Sequence, residues 1–146
     1  TLARLAHLDY VVGVKEACGD LEQMTHLIAR CPADFCVLSG DDALTLPLMA
    51  IGGKGVISTS SNIAPGELVE LVRAFAEGDV TRARALHYQL LPLFDVLFCE
   101  TNPSPVKAAA AELGWCQDEI RLPLTPITEP NRERLKVVLK DLEILR

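Results

Sequence analysis

Three short β-branched runs, each followed by a stretch of helical period, constrain this chain more than any other feature. Residues 10–14 (YVVGV), 35–38 (FCVL) and 55–58 (GVIS) read as buried strands. Between and after them, apolar residues recur three and four positions apart. Leu21, Met24, Leu27 and Ile28 share one face of a helix over 20–30, with Asp20 as its N-cap and Pro32 as its stop. A second helix over 42–51 begins near Asp42 and ends at Gly52-Gly53; Pro47 fits it only in the first turn or at a kink. Leu68, Leu71, Val72, Phe75 and Ala76 mark a third over 65–77, ended by Gly78.

After that the strands stop. Asp79 caps a helix that lines up Leu86, Leu90, Leu93, Phe94 and Leu97. Ser104-Pro105 supplies an N-cap and an N1 proline to the next, and Gly114 its C′ residue. Residues 115–128 form a Pro- and Thr-rich loop, and a last helix near 130–145 buries Leu135, Val138, Leu139 and Leu142. The order β-α-β-α-β-α followed by helices implies α/β class, with parallel strands and right-handed crossovers. Part of a (β/α)₈ barrel fits this order, and so does a small open doubly wound sheet. A closed barrel needs about 250 residues, so three strands cannot close one. The expected division is a βα region over 1–77 and a helical region over 78–146.

Composition narrows the partners. The formal net charge of −6 argues against a broad nucleic-acid surface, which would be basic. The apolar runs are too short to span a bilayer. The five cysteines form no CxxC pair and make no zinc spacing with the three scattered histidines. They read as reduced core thiols of a cytoplasmic protein. The first residues, TLARLAHLDY, lack the apolar core of a signal peptide and read as the tail of a helix, as though cut from something longer.

Polar clusters end all three strands: Lys15-Glu16, Ser39-Gly40-Asp41-Asp42 and Ser58-Thr59-Ser60-Ser61-Asn62. Parallel strands bring these clusters to one edge of the sheet, where α/β folds place their sites. Lys15 follows apolar residues. Held among apolar groups, its amine would lose its proton more readily and could form a Schiff base with a ketone. A snorkelling lysine paired with Glu16 or Asp41 remains the other reading. Gly52-Gly53-Lys54-Gly55 lacks phosphate-loop spacing and precedes a strand, so it reads as a tight turn. Asp41-Asp42 has no third ligand at useful spacing and reads as capping and loop bonding, with no metal. Lys107, Arg82, Arg84, Arg132 and Arg134 read as solvated helix charges.

VVGVKEACGDL, VLSGDDALTLPLMAIGGKGVIS, NPSPVKAA and RLPLTPIT, in this order, resemble the pyruvate-dependent class I aldolase family that includes dihydrodipicolinate synthases and N-acetylneuraminate lyases. The resemblance covers the whole chain but only the C-terminal half of the family: the last three strands of a (β/α)₈ TIM barrel and the trailing helices. The SGDDA, NPSPVK and LPLTP blocks favour the synthase branch. By position, the resemblance implies that Lys15 is the Schiff-base lysine, that Ile57 gives bound pyruvate a backbone contact, and that Gly40 lines the pocket near the second substrate. The implied reaction condenses pyruvate with aspartate semialdehyde to 4-hydroxy-tetrahydrodipicolinate, on the route to lysine and diaminopimelate, with no metal or organic cofactor. It also implies a homotetramer. A keto-deoxy-sugar acid aldolase or lyase of the same family, or an inactive truncated assembly fragment, are the alternatives. Cys18 and Thr59-Ser60-Ser61 depart from the usual pattern. The family's carboxylate-binding threonines, proton-relay tyrosines and substrate arginine would lie upstream of Thr1, and Tyr10 and Tyr88 match none of them.

Overall fold

A computed structural model describes residues 1–145. Its strands are β1 (Gly13–Glu16), β2 (Cys36–Ser39) and β3 (Gly55–Val56). The helices are α1 (Leu2–Leu5), α2 (Leu21–Arg30), α3 (Thr45–Ala50), α4 (Pro65–Ala76), α5 (Val80–Val96), α6 (Ser104–Glu112) and α7 (Glu129–Asp141). The strands form one parallel sheet in the order β1-β2-β3. Gly13 pairs with Cys36 and Glu16 with Ser39, while Leu38 pairs with Gly55 and Ser39 with Val56. Helices α2 and α3 are therefore crossovers between adjacent parallel strands.

The helix boundaries follow local chemistry. Asp20 caps α2 as its sequence position predicts: Oδ1 accepts the N–H groups of Glu22 (2.9 Å) and Gln23 (3.1 Å). Residues 42–51 divide into a 3₁₀ turn, Asp42–Leu44, and α3. Pro47 falls in the first turn of α3, where its missing N–H costs no helical bond. Gly78, at φ 88°, takes the left-handed conformation that ends α4 and lets α5 fold back against it. Ser104 is not a cap. Its hydroxyl donates to the Thr125 carbonyl at 2.8 Å and ties α6 to the loop that crosses it.

Strand boundaries depart further from the sequence expectation. Residues 8–12 form a turn, with the Val11 N–H on the Leu8 carbonyl and Tyr10 96% exposed. Pairing with β2 begins only at Gly13, so Lys15 lies inside the strand rather than beyond its end. Apolar, β-branched composition marks where a strand can form; the hydrogen-bonding partner decides where it does. Phe35 likewise belongs to a turn, and its ring joins the core beneath the sheet.

Two clusters hold the fold. Met24, Leu27, Phe35, Val37 and Leu48 pack α2 and α3 against the sheet. Leu68, Leu71, Leu86, Leu90, Leu93, Leu135 and Leu139 join α4, α5 and α7. The five cysteines are free thiols; Cys31 and Cys99 pack half-buried against the clusters, whereas Cys18 and Cys116 are exposed and are not the core residues that composition suggested. Among the described residues no helix is long and apolar enough to cross a membrane.

Leu93 is fully buried. Leu93→Ala should therefore cost about 2–5 kcal/mol in urea unfolding. His87 packs between Tyr88 and Phe94, and its buried Nδ1 has no partner among the described residues. Burial pushes its imidazole below the usual histidine range. As pH falls, the unfolded chain takes up this proton first, so the folded state loses stability below about pH 6.5. The urea midpoint should drop between roughly pH 7.5 and 5.5, and His87→Phe should reduce that drop.

Candidate active site

Period two along a strand sorts its side chains onto opposite faces. On β1, Val14 and Glu16 point one way and Lys15 the other. The register carries this across the sheet, since Lys15 pairs with Leu38 and Glu16 with Ser39. Helices cover the face of Val14, Val37 and Val56. Val37 is 2% exposed there and Ser39 0%. The opposite face is open: Lys15 is exposed and Ile57 is 48% exposed. The amine is thus not enclosed by apolar groups, because no described element covers this side of the sheet.

Pairing continues past the strand ends. The Gly40 N–H donates to the Glu16 carbonyl at 2.6 Å, and the Ile57 N–H to the Ser39 carbonyl at 2.8 Å. Both residues are therefore fixed at the C-terminal edge of the sheet. Gly40 has no side chain for a direct steric reason. A Cβ there would lie 2.8 Å from the Lys15 Cε and 2.6 Å from the Ala17 Cβ. The lysine stem therefore passes over Gly40, beyond the last residue of β2. Snorkelling ion pairs are not made. Glu16 is buried on the other face, where its Oε1 accepts the Cys18 N–H at 3.0 Å. The Asp41 Oδ1 caps the 3₁₀ turn through the Ala43 N–H at 3.1 Å.

Asp42 is the residue that sequence reasoning undervalued. It is 1% exposed, and its carboxylate reaches from the loop after β2 to the loop after β3. One oxygen accepts the Ser58 hydroxyl; the other accepts the N–H groups of Thr59 and Ser60, each at 3.2 Å. The expected role in loop bonding is correct, yet the bonds run to a different loop, which spacing could not reveal. Among the described residues no group of three metal-ligating side chains converges.

A cleft of about 510 Å³ opens at the same edge, lined by Ala17, Gly40, Asp41, Ala43, Phe94, Asp95 and Phe98. It brings α5 beside Gly40, whereas Lys15 and Ile57 lie outside its lining. Gly52–Lys54 turn the chain from α3 into β3, which begins at Gly55, with the Lys54 N–H on the Val37 carbonyl at 2.9 Å. Arg132 is not a solvated charge. Only 18% exposed, it bonds Glu112 at 2.9 Å and also Asp118, pinning the 115–128 loop to α6 and α7. These carboxylates raise the guanidinium pKa. These two hydrogen-bonded partners lie 14 and 20 residues away, outside the helix spacing that also brings Glu129 within 4.0 Å.

Parallel βα units with one lysine on the inner face, beside a glycine that makes room for it, define a lysine-bearing segment of a (β/α)₈ barrel. The chain belongs to the dihydrodipicolinate synthetase family, whose sequence pattern matches residues 1–142. It is 52% identical over 141 residues to a 4-hydroxy-tetrahydrodipicolinate synthase of Syntrophus aciditrophicus (strain SB), covering 97% of this chain and 48% of that one. A protein of the same name from Archaeoglobus fulgidus is 49% identical, with 97% and 49% covered. The crystal structure of dihydrodipicolinate synthase from Thermotoga maritima superposes with a TM-score of 0.96 at 43% identity, over 99% of this chain and 50% of that one. The chain spans about half the length of the curated relatives it matches, and that half is the C-terminal one. Its fold is accordingly the C-terminal part of a TIM barrel with trailing helices.

Gly40→Ala should destabilise the protein by about 1–3 kcal/mol, because the Ala17 Cβ, 2.6 Å away and fixed to the backbone, cannot withdraw without strain, whereas the exposed lysine stem can swing aside. Gly66→Ala is the control. Its Cβ would meet nothing, and in α4 it should stabilise by about 0.5–1 kcal/mol. Chemical denaturation of both variants checks the pair.

Proposed function

We propose that this chain supplies the Schiff-base half of a pyruvate-dependent synthase. The carrying observation is the Lys15 stem lying over Gly40 on the open face of the sheet, at the strand ends. Curated relatives named 4-hydroxy-tetrahydrodipicolinate synthase, at about half identity, support the substrate assignment. The Lys15 amine adds to the ketone carbon of pyruvate and water leaves, giving a protonated imine. The imine draws electrons as a methyl proton departs, and the resulting enamine carbon adds to the aldehyde of aspartate semialdehyde. The amino group of that second substrate then attacks the imine carbon. Lys15 is released and the ring of 4-hydroxy-tetrahydrodipicolinate closes. The imine is itself the electron sink, so the sequence of steps calls for no metal or organic cofactor.

Ile57 is assigned a backbone role. Its N–H is held by Ser39, while no donor among the described residues occupies its carbonyl, which is free to accept a hydrogen bond from bound pyruvate. Gly40 keeps the lysine path clear and lines the adjoining cleft, where the second substrate is placed. The residues that hold the pyruvate carboxylate and relay protons are assigned to the other half of the protein. A cytoplasmic homo-oligomer, tetrameric by family resemblance, completes the proposal.

Borohydride reduction in the presence of pyruvate tests it. In the complete protein, mass spectrometry should find one reduced pyruvate on Lys15, and Lys15→Ala should remove it. No adduct in the complete protein contradicts the assignment. The 146-residue chain alone should show no steady turnover, since half of the site is elsewhere.

A further inference from the structure

We propose that Asp42 is a positioning residue for the pyruvate site, acting through the loop after β3 to fix the Ile57 carbonyl. The inference rests on the proposed function and goes beyond it, because Asp42 itself touches no reacting atom. A carboxylate that is 1% exposed needs compensation for the water it has lost. All of it comes from one short segment: the Ser58 hydroxyl and the Thr59 and Ser60 N–H groups. These are the three residues that follow Ile57. The Ser58 hydroxyl is in turn locked, because its oxygen accepts the Ser61 N–H at 2.8 Å, and the Ser61 hydroxyl donates to the Ser58 carbonyl at 3.1 Å.

Ile57 therefore sits between two anchors. On its N-terminal side the sheet holds it through the Ser39 carbonyl. On its C-terminal side the peptide that carries its carbonyl leads directly into the Asp42 clamp. β3 pairs over only two residues, so the sheet alone defines this carbonyl weakly. The clamp replaces ladder pairing at the position where the strand must stop and present a free acceptor. A simple N-cap would not need both oxygens, and Asp41 already caps this turn. Charge-assisted bonds to two N–H groups and a hydroxyl are stronger than neutral ones, and their geometry fixes the path of the loop.

The test uses the complete protein and separates positioning from bulk stability. Asp42→Asn keeps the volume but turns one acceptor into a donor; Ser58→Ala removes the hydroxyl's bond to Asp42 and the one it accepts from the Ser61 N–H, and leaves the Thr59 and Ser60 N–H bonds to Asp42. The pyruvate KM should rise about tenfold in Asp42→Asn and about threefold in Ser58→Ala. The kcat at saturating pyruvate should change less, and borohydride should still label Lys15 fully. Should Asp42→Asn not fold, Ser58→Ala decides the matter. An unchanged pyruvate KM, with only the unfolding midpoint lowered, overturns the positioning role and leaves Asp42 as a loop staple. Loss of labelling in the unmutated protein is a separate result, which strikes the Schiff-base reading instead.

Discussion

The in-register pairing of three parallel strands is the constraint on which the rest depends. Lys15 opposite Leu38 and Ser39 opposite Val56 put the lysine and Ile57 on one face, with the valines on the other. A slip of one residue would drive the ammonium into the helix-covered core and turn Val14 outward. Helices α2 and α3 oppose that slip, because Val37, Met24 and Leu48 fit together only in this register. Burial on the covered face therefore specifies which residues stand on the open one.

Polar groups at the strand ends divide the work. Glu16, Ser39 and Asp42 are buried and satisfied, and they hold the loops. The Ser39 hydroxyl donates to the Asp41 carbonyl at 2.6 Å and accepts the Asp41 N–H at 3.1 Å, setting the turn from which Asp42 projects. Lys15 and the Ile57 carbonyl have no hydrogen-bond partner among the described residues, and both residues are exposed. A rigid frame around uncommitted groups suits covalent chemistry, since ordering the site before substrate arrives lowers the entropic cost of reaction. Farther away, Glu100 accepts the Thr128 N–H (2.9 Å) and hydroxyl (2.8 Å) and the Asn131 amide (2.7 Å), which hold its pKa below the usual range and fasten the start of α7.

Much of this was legible in the residues. Helical period located α2, α4 and α5, and Asp20, Gly78 and Asp79 marked their ends, because capping is local chemistry. The motif resemblance singled out Lys15, Gly40 and Ile57, which the structure brings to the C-terminal edge of one sheet. What stayed hidden depended on partners distant in sequence. Tyr10 looks like a strand residue, yet it lies in a turn, and β2 reaches back only as far as the Val12 carbonyl, which accepts the Cys36 N–H at 3.0 Å. Asp42 looked like a cap because its three donors lie 16 to 18 residues on. Arg132 looked solvated because its carboxylates sit on another helix and a loop. The exposure of Lys15 was unreadable for a different reason: apolar neighbours along the chain belong to the other face of the strand.

The most direct measurement is a crystal structure of the complete protein soaked with pyruvate. Continuous density from the Lys15 Nζ to the ketone carbon, with the Ile57 carbonyl in hydrogen-bond contact with the bound molecule, is the predicted result. Pyruvate attached to another amine, or bound with Lys15 turned away from Gly40, would contradict the account.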